Sequence, residues 1–246
     1  MTSVLPSRPG LRSVSPLPSS TVLLLADRAG HLEVLMVRRS RSAVFGGMFV
    51  FPGGVVDPVD LSPLAEEVLV GTLAGEAGWL AAGLRETAEE VGIYLTDRPI
   101  DPPPKPLRGE EIYRWVSGRR ARFDAGRLRY LSNWVTPKEA PQRFDARFYL
   151  ARVEGDEPLT LAEAELTEAV WVEPRRALSR RRRGEWEMIL PTEKTLEYLA
   201  GFHTSREAWE SVDETGDVTP VLPRLVMRRG RPEPLLPGDP GYGEAE

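Results

Sequence analysis

Three glutamates within five residues, Glu86, Glu89 and Glu90, follow Arg85 in a stretch whose apolar spacing predicts a helix from about Gly75 to Val91. At about 100° per residue their carboxylates share an arc of about 100°, opposite a mostly apolar stripe of Leu80, Leu84, Thr87 and Val91. Like charges at i,i+4 cost a few tenths of a kcal/mol per pair. A divalent cation would turn that repulsion into coordination. A plain solvated acidic face fits the glutamate spacing equally well. Gly92 is expected to stop the helix in left-handed geometry, returning the chain to the core at Ile93.

Composition narrows the chemistry further. The 246 residues include no cysteine and two histidines, His31 and His203. That excludes a thiolate nucleophile, a disulfide framework, an iron–sulfur cluster and a multi-His metal site. Any metal must be held by oxygen, which selects a hard ion such as Mg²⁺ or Mn²⁺. No serine sits in G-x-S-x-G. A net charge of -5 disfavours general nucleic-acid binding. No apolar run is long enough to span a bilayer, and no secretion signal is legible, so a cytoplasmic location is expected.

Other charged residues have weaker claims. Arg38 and Arg39 end an apolar strand, and one of the two should face the working side of the sheet and reach a phosphate. Arg143 and Arg147 could contact substrate or make structural ion pairs. The Arg180–Arg183 run could hold a remote phosphate or complement a helix C-terminus. Glu139, Glu165 and Glu168 are further acids downstream, each readable as a solvated surface group. Trp134 and Trp171 read as core, and both histidines as exposed.

The elements that must position these groups alternate in type. Strand-like runs cover 21–26, 32–39 and 48–51, with a hairpin turn at Asp27–Gly30. After the 75–91 helix come a proline-rich link at 98–106 and a helix near 109–120. Strands follow at 128–136, 144–153 and 169–173. Helices are expected from Pro174 into the arginine run, over 192–200 and over 205–212, the last with Thr204 and Glu207 as a capping box. This order implies an α+β or layered α/β domain with a mixed sheet. Residues 1–20 read as a disordered arm, 21–215 as the folded domain, 57–73 as an irregular insert with a helical turn or two, and 216–246 as a proline-rich tail.

The string Arg85-Glu86-Thr87-Ala88-Glu89-Glu90-Val91-Gly92, preceded by Phe51-Pro52-Gly53-Gly54, resembles the box of the Nudix hydrolase superfamily. The resemblance implies an α/β/α sandwich and an enzyme that cleaves a diphosphate linked to a moiety X with Mg²⁺ or Mn²⁺. It implies Glu86, Glu89, Glu90 and the Gly53 carbonyl as metal ligands, and Arg85 as the residue that orients the glutamates. Arg85, Glu86 and Glu89 are then the catalytic residues, the general base being Glu86, Glu89 or a downstream acid such as Glu139, Glu165 or Glu168, and Arg38, Arg39 and Arg143 the candidate substrate contacts. The family pattern runs G-x5-E-x7-R-E, whereas residues 55–84 lie between Gly54 and Arg85 here. Counting back from Arg85, its glutamate would fall on Ala77. Glu76 is one residue off, Asp57 and Asp60 follow the glycines, and no residue inherits the role.

A box interrupted in this way is similar to a larger branch that includes the peroxisomal coenzyme A diphosphatases. Val37–Ser40, Gly46–Phe51, Trp134–Pro137 and Arg143–Phe148 fit that branch as well. Coenzyme A or an acyl-CoA is therefore the leading expected substrate. ADP-ribose or a dinucleotide, or a nucleotide-binding regulatory role with little hydrolysis, are the alternatives. The expected partner is a small nucleotide, with no specific nucleic acid and no membrane, and the family resemblance allows a homodimer.

Overall fold

The structure, a computed structural model, describes residues 3–4, 14–71, 75–212, 218–228 and 231–244. A short strand β1 (Ser3–Val4) precedes the twelve-residue β2 (Leu17–Arg28) and β3 (His31–Arg39). β2 and β3 are joined by a two-residue turn in which Ala29 and Gly30 both have positive φ, the geometry that matches the twist of a hairpin. β4 (Phe49–Val50) and β5 (Gly53–Val55) follow, then a 3-10 turn at Pro58–Leu61, α1 (Pro63–Glu67) and β6 (Leu69–Val70). The long helix α2 spans Ala77–Val91 and α3 spans Glu110–Gly118. β7 (Phe123–Asp124), β8 (Arg129–Val135), β9 (Phe144–Arg152) and β10 (Leu166–Val172) complete the central strands. Helices α4 (Pro174–Arg182), α5 (Leu190–Leu199) and α6 (Ser205–Glu210) come next, then β11 (Arg224–Arg228) and β12 (Arg231–Leu235).

The main sheet is mixed. Its order is β10-β3-β2-β9-β8, with β2 and β9 parallel and the other pairs antiparallel. β2 and β3 pair only over Leu25–Arg28 and His31–Val34. Beyond that they separate, and β4 pairs β3 while β5 pairs β2. The chain from Phe49 to Val55 therefore fills the gap in the sheet and delivers Gly53 and Gly54 to the helix above.

The alternation along β2 divides two cores. Val22 and Leu24 pack with α2 and α3, and Leu23 and Leu25 pack with α4, α5 and α6. All four side chains are fully buried. The result is the expected α/β/α sandwich. Helix α2 ends as its sequence implies: Gly92 adopts φ 77° and its N–H reaches the Ala88 carbonyl. The Thr204–Glu207 capping box also forms at the start of α6.

Three stretches differ from the sequence reading. β2 begins at Leu17, inside the stretch read as an arm, because β9 pairs with it from Leu17 onward and β5 covers Ser19 to Thr21. Residues 17–20 carry no apolar alternation to announce this. The insert carries the expected helical turns, at Pro58–Leu61 and Pro63–Glu67, and in addition β6, which pairs with β7. The stretch read as a tail contains the hairpin β11–β12, which forms a second sheet with β1. Its prolines are tolerated because β12 is an edge strand. Residues 1–2, 5–13, 72–74, 213–217, 229–230 and 245–246 lie outside the described residues.

Candidate active site

The apolar stripe of α2 docks on the sheet as expected, with Leu80, Leu84, Thr87 and Val91 all buried. The charged arc is not solvated. Arg85 is 2% exposed and the Glu90 side chain 1%, because the Gly53–Asp60 segment, Arg39 and Gly109 cover that side of the helix. Burial is what makes these charges consequential, since each must find partners or shift its proton affinity.

Arg85 is the hub. Its Nε donates to Asp60 Oδ1 at 2.7 Å and its Nη2 to Asp60 Oδ2 at 3.0 Å, a bidentate pair. Nη2 also donates to the Val55 carbonyl at 3.2 Å. Nη1 lies 2.9 Å from Glu86 Oε1 and 3.3 Å from Glu89 Oε2. Asp60 in turn accepts the Tyr113 hydroxyl at 2.6 Å and the Asp57 N–H at 2.8 Å. The Tyr113 hydroxyl is held well above its ordinary pKa by burial and by the Asp60 charge, so it stays a donor.

Glu90 faces the other way. Its Oε1 pairs with Arg39 Nη1 at 3.1 Å and its Oε2 accepts the Gly53 N–H at 2.9 Å. Burial raises the Glu90 carboxyl to about 8, with repulsion from Glu86 adding to it and Arg39 opposing it. Burial likewise raises Glu86 to about 7, opposed by Arg85 and reinforced by Glu89. Four carboxylates (Asp60, Glu86, Glu89 and Glu90) thus share two guanidiniums, those of Arg39 and Arg85. The excess of acidic over basic groups in a largely buried, oxygen-only site suits a hard divalent cation.

Gly54 packs directly on the Glu86 carboxylate. A Cβ there would lie 2.3 Å from Glu86 Oε1, so only glycine leaves the carboxylate its place. Glu86 and Glu90 line one cavity of about 530 Å³, together with Arg39, Gly53, Gly54 and Glu165. Glu89 is not on its wall; it accepts the Gly109 N–H at 3.0 Å and pairs with Arg85. Among the described residues no three acidic or histidine side chains stand together at metal-ligand spacing. Glu86 and Glu90 are the two glutamates of the helix that face this cavity.

The other expected contacts sort by position. Arg39 lines the cavity; Arg38 points elsewhere, donating to the Gly47 carbonyl and lying over the Phe49 ring. Arg143 is off the cavity wall and buried, donating to the carbonyls of Thr136 and Val14. Arg147 pairs with Glu76 and stacks on Trp79. The Arg180–Arg183 run sits at the end of α4, where Arg180 stacks on Trp186 and Arg183 pairs with Glu185. Of the downstream acids, Glu165 lines the cavity and pairs with Arg108, whereas Glu139 and Glu168 are exposed. Trp134 is buried in the second core and also lines the cavity. His31 and His203 are exposed, as expected.

Residues 16–190, more than two thirds of the chain, match the NUDIX domain. The chain belongs to the Nudix family. It is 27% identical over 240 residues to a Caenorhabditis elegans protein named as nudix hydrolase 7, covering 91% of this chain and 74% of that one. It is 26% identical over 304 residues to the acyl-coenzyme A diphosphatase NUDT19 of Gallus gallus, covering 95% and 78% respectively. A Nudix hydrolase crystal structure from Alicyclobacillus acidocaldarius superimposes with a TM-score of 0.70 at 29% identity, over 82% of this chain and 99% of that one. The protein is a Nudix hydrolase, acting on the diphosphate bond of nucleoside diphosphate derivatives. Enzymes of this family generally use divalent metals.

Asp60, which the sequence places after the glycines without a role, is central to the site. Counted forward from Gly54, the G-x5 spacing of the Nudix box ends on Asp60. Counting back from Arg85 lands on Ala77 instead, because 24 residues separate Asp60 from Arg85. Asp60 stands at that spacing and binds Arg85 across 25 positions of sequence.

Proposed function

We propose that this Nudix hydrolase is a Mg²⁺- or Mn²⁺-dependent diphosphatase of coenzyme A or its acyl esters. The observation that carries the reading is the lining of the cavity. Glu86, Glu90 and Arg39 share it with Phe45, Phe51, Phe144, Trp134, Leu190 and Leu225. A diphosphate joined to a long arm or acyl chain with apolar stretches matches a wall that carries both charged and apolar groups. The similarity to the acyl-coenzyme A diphosphatase supports the same choice.

Glu86, Glu89, Glu90 and the Gly53 carbonyl would hold the ion. When bound, it neutralises the diphosphate and makes water acidic enough to attack at neutral pH. Arg85, fixed by Asp60, orients Glu86 and Glu89. Arg39 can exchange Glu90 for a phosphate oxygen of the substrate. Glu165, on the cavity wall, can take a proton from the attacking water.

Mass-spectrometric product analysis with Mg²⁺ and with EDTA tests this over coenzyme A, acyl-CoA esters, ADP-ribose, NADH and dinucleoside polyphosphates. The expected products from coenzyme A are the adenosine bisphosphate and phosphopantetheine halves. Preferential cleavage of ADP-ribose or a dinucleotide would replace the substrate assignment. E89Q and E90Q should each lower turnover at least about 100-fold with the fold retained; unaltered turnover would remove them from the ligand set.

A further inference from the structure

We propose that the C-terminal hairpin β11–β12, which lies beyond the part of the chain matching the NUDIX domain, sets how large an apolar X group the enzyme accepts. Pro223, Leu225 and Pro234 line the same cavity as Glu86 and Glu90. Leu225 and Pro234 are cross-strand partners in the hairpin and share its cavity face. None of the three side chains offers a hydrogen bond, so this wall recognises apolar matter and reads it by volume.

The hairpin is anchored in a way that fixes this wall. β8 is an edge of the main sheet, and Val221 extends it: the Val221 N–H donates to the Asn133 carbonyl at 2.8 Å, and the Val135 N–H donates to the Val221 carbonyl at 2.9 Å. Two residues later Pro223 is on the cavity wall. The opposite face of the hairpin has its own small core, in which Val226 and Leu235 are buried beside Tyr242. The Tyr242 hydroxyl donates to the Leu222 carbonyl at 2.7 Å, and Arg224 Nη1 donates to the Tyr242 carbonyl at 3.0 Å. β1 pairs along β11 at Val226 and Met227. The wall is therefore held from both ends and from behind, while Leu225 and Pro234 face the substrate space.

The choice of substrate series rests on the coenzyme A reading above; the wall itself does not. The test uses the full chain with Mg²⁺ and compares kcat/KM for free CoA with short-, medium- and long-chain acyl-CoA. L225W should lower the ratio of long-chain to free CoA at least about tenfold, mainly through a higher KM, as crowding by even one methylene can do. L225A should move the ratio the other way, which separates pocket size from damage to the fold. Equal losses on every chain length in both variants would overturn the proposal. If the wild type ignores CoA esters, the substrate reading fails, and the same variants are run on the diphosphate from the product panel that it does cleave and on bulkier analogues of it. A size-graded change there supports the wall, and a uniform one overturns it.

Discussion

Replacing Asp60 with Asn removes one negative charge from the most buried point of the site and keeps its shape. Asp60 accepts four hydrogen bonds: two from Arg85 at 2.7 and 3.0 Å, one from Tyr113 at 2.6 Å and one from Asp57 N–H at 2.8 Å. In Asn one oxygen becomes an NH2 group. Turned either way, that group faces a guanidinium N–H, so a donor meets a donor and Arg85 loses half of its bidentate partner. Breaking a buried, hydrogen-bonded ion pair from one side costs about 3–5 kcal/mol. For a chain of this size that is a fall in Tm of roughly 6–20 °C. Urea unfolding in EDTA, with the m-value checked for constancy, measures it. Y113F, which deletes one donor to the charged acceptor, should cost less, about 1.5–3 kcal/mol, and the double variant should be non-additive because both act on one carboxylate. A D60N loss below about 1 kcal/mol would refute the reasoning. It would mean that Glu86, Glu89 and the Val55 carbonyl suffice to hold Arg85.

Two further outcomes follow from the same geometry. Glu86 and Glu90 bind protons more tightly in the folded protein, at about 7 and about 8, than at the ordinary value near 4.5. That stabilisation is present at low pH and is lost as pH rises through this window, so in EDTA the Tm should fall between pH 5 and pH 8.5. E90Q should flatten the decline, and Mg²⁺ should raise the Tm more at pH 8 than at pH 5; a flat profile for the wild type in EDTA would contradict the burial argument. In G54A the new methyl meets the flexible end of Glu86, so stability should change little while the carboxylate moves. A shift of about 1 Å there should lower kcat roughly 100-fold, and steady-state kinetics beside calorimetry would show whether activity and stability separate.

Much of this protein is written locally. The 3.6-residue period shows which side of α2 docks on the sheet, Gly92 shows where the helix stops, and Thr204 with Glu207 shows where α6 starts. Arg85, Glu86, Glu89 and Glu90 are legible for the same reason: a helix converts spacing directly into a shared face. Gly53 and Gly54 are legible as the entry to it. The absence of cysteine and the scarcity of histidine already confined any metal to oxygen ligands.

What covers a face is a different kind of information, because the covering residues are distant in the chain. Asp60 meets Arg85 across 25 positions and Tyr113 across 53. Only that packing turns an apparently solvated acidic arc into a buried one with raised proton affinity. Strand alternation shows that one of Arg38 and Arg39 faces the site; the pairing of β3 with β4 and β10 selects Arg39. Glu165 is distinguished from Glu139 and Glu168 by its place beside the cavity, and Arg143 is withdrawn from it by carbonyls of Thr136 and Val14. The hairpin at 224–235 is hidden by its prolines, which are compatible with a strand only because tertiary packing makes it an edge. Local spacing therefore determined which groups can act, and burial by remote segments decided their charge, their partners and the wall they work against.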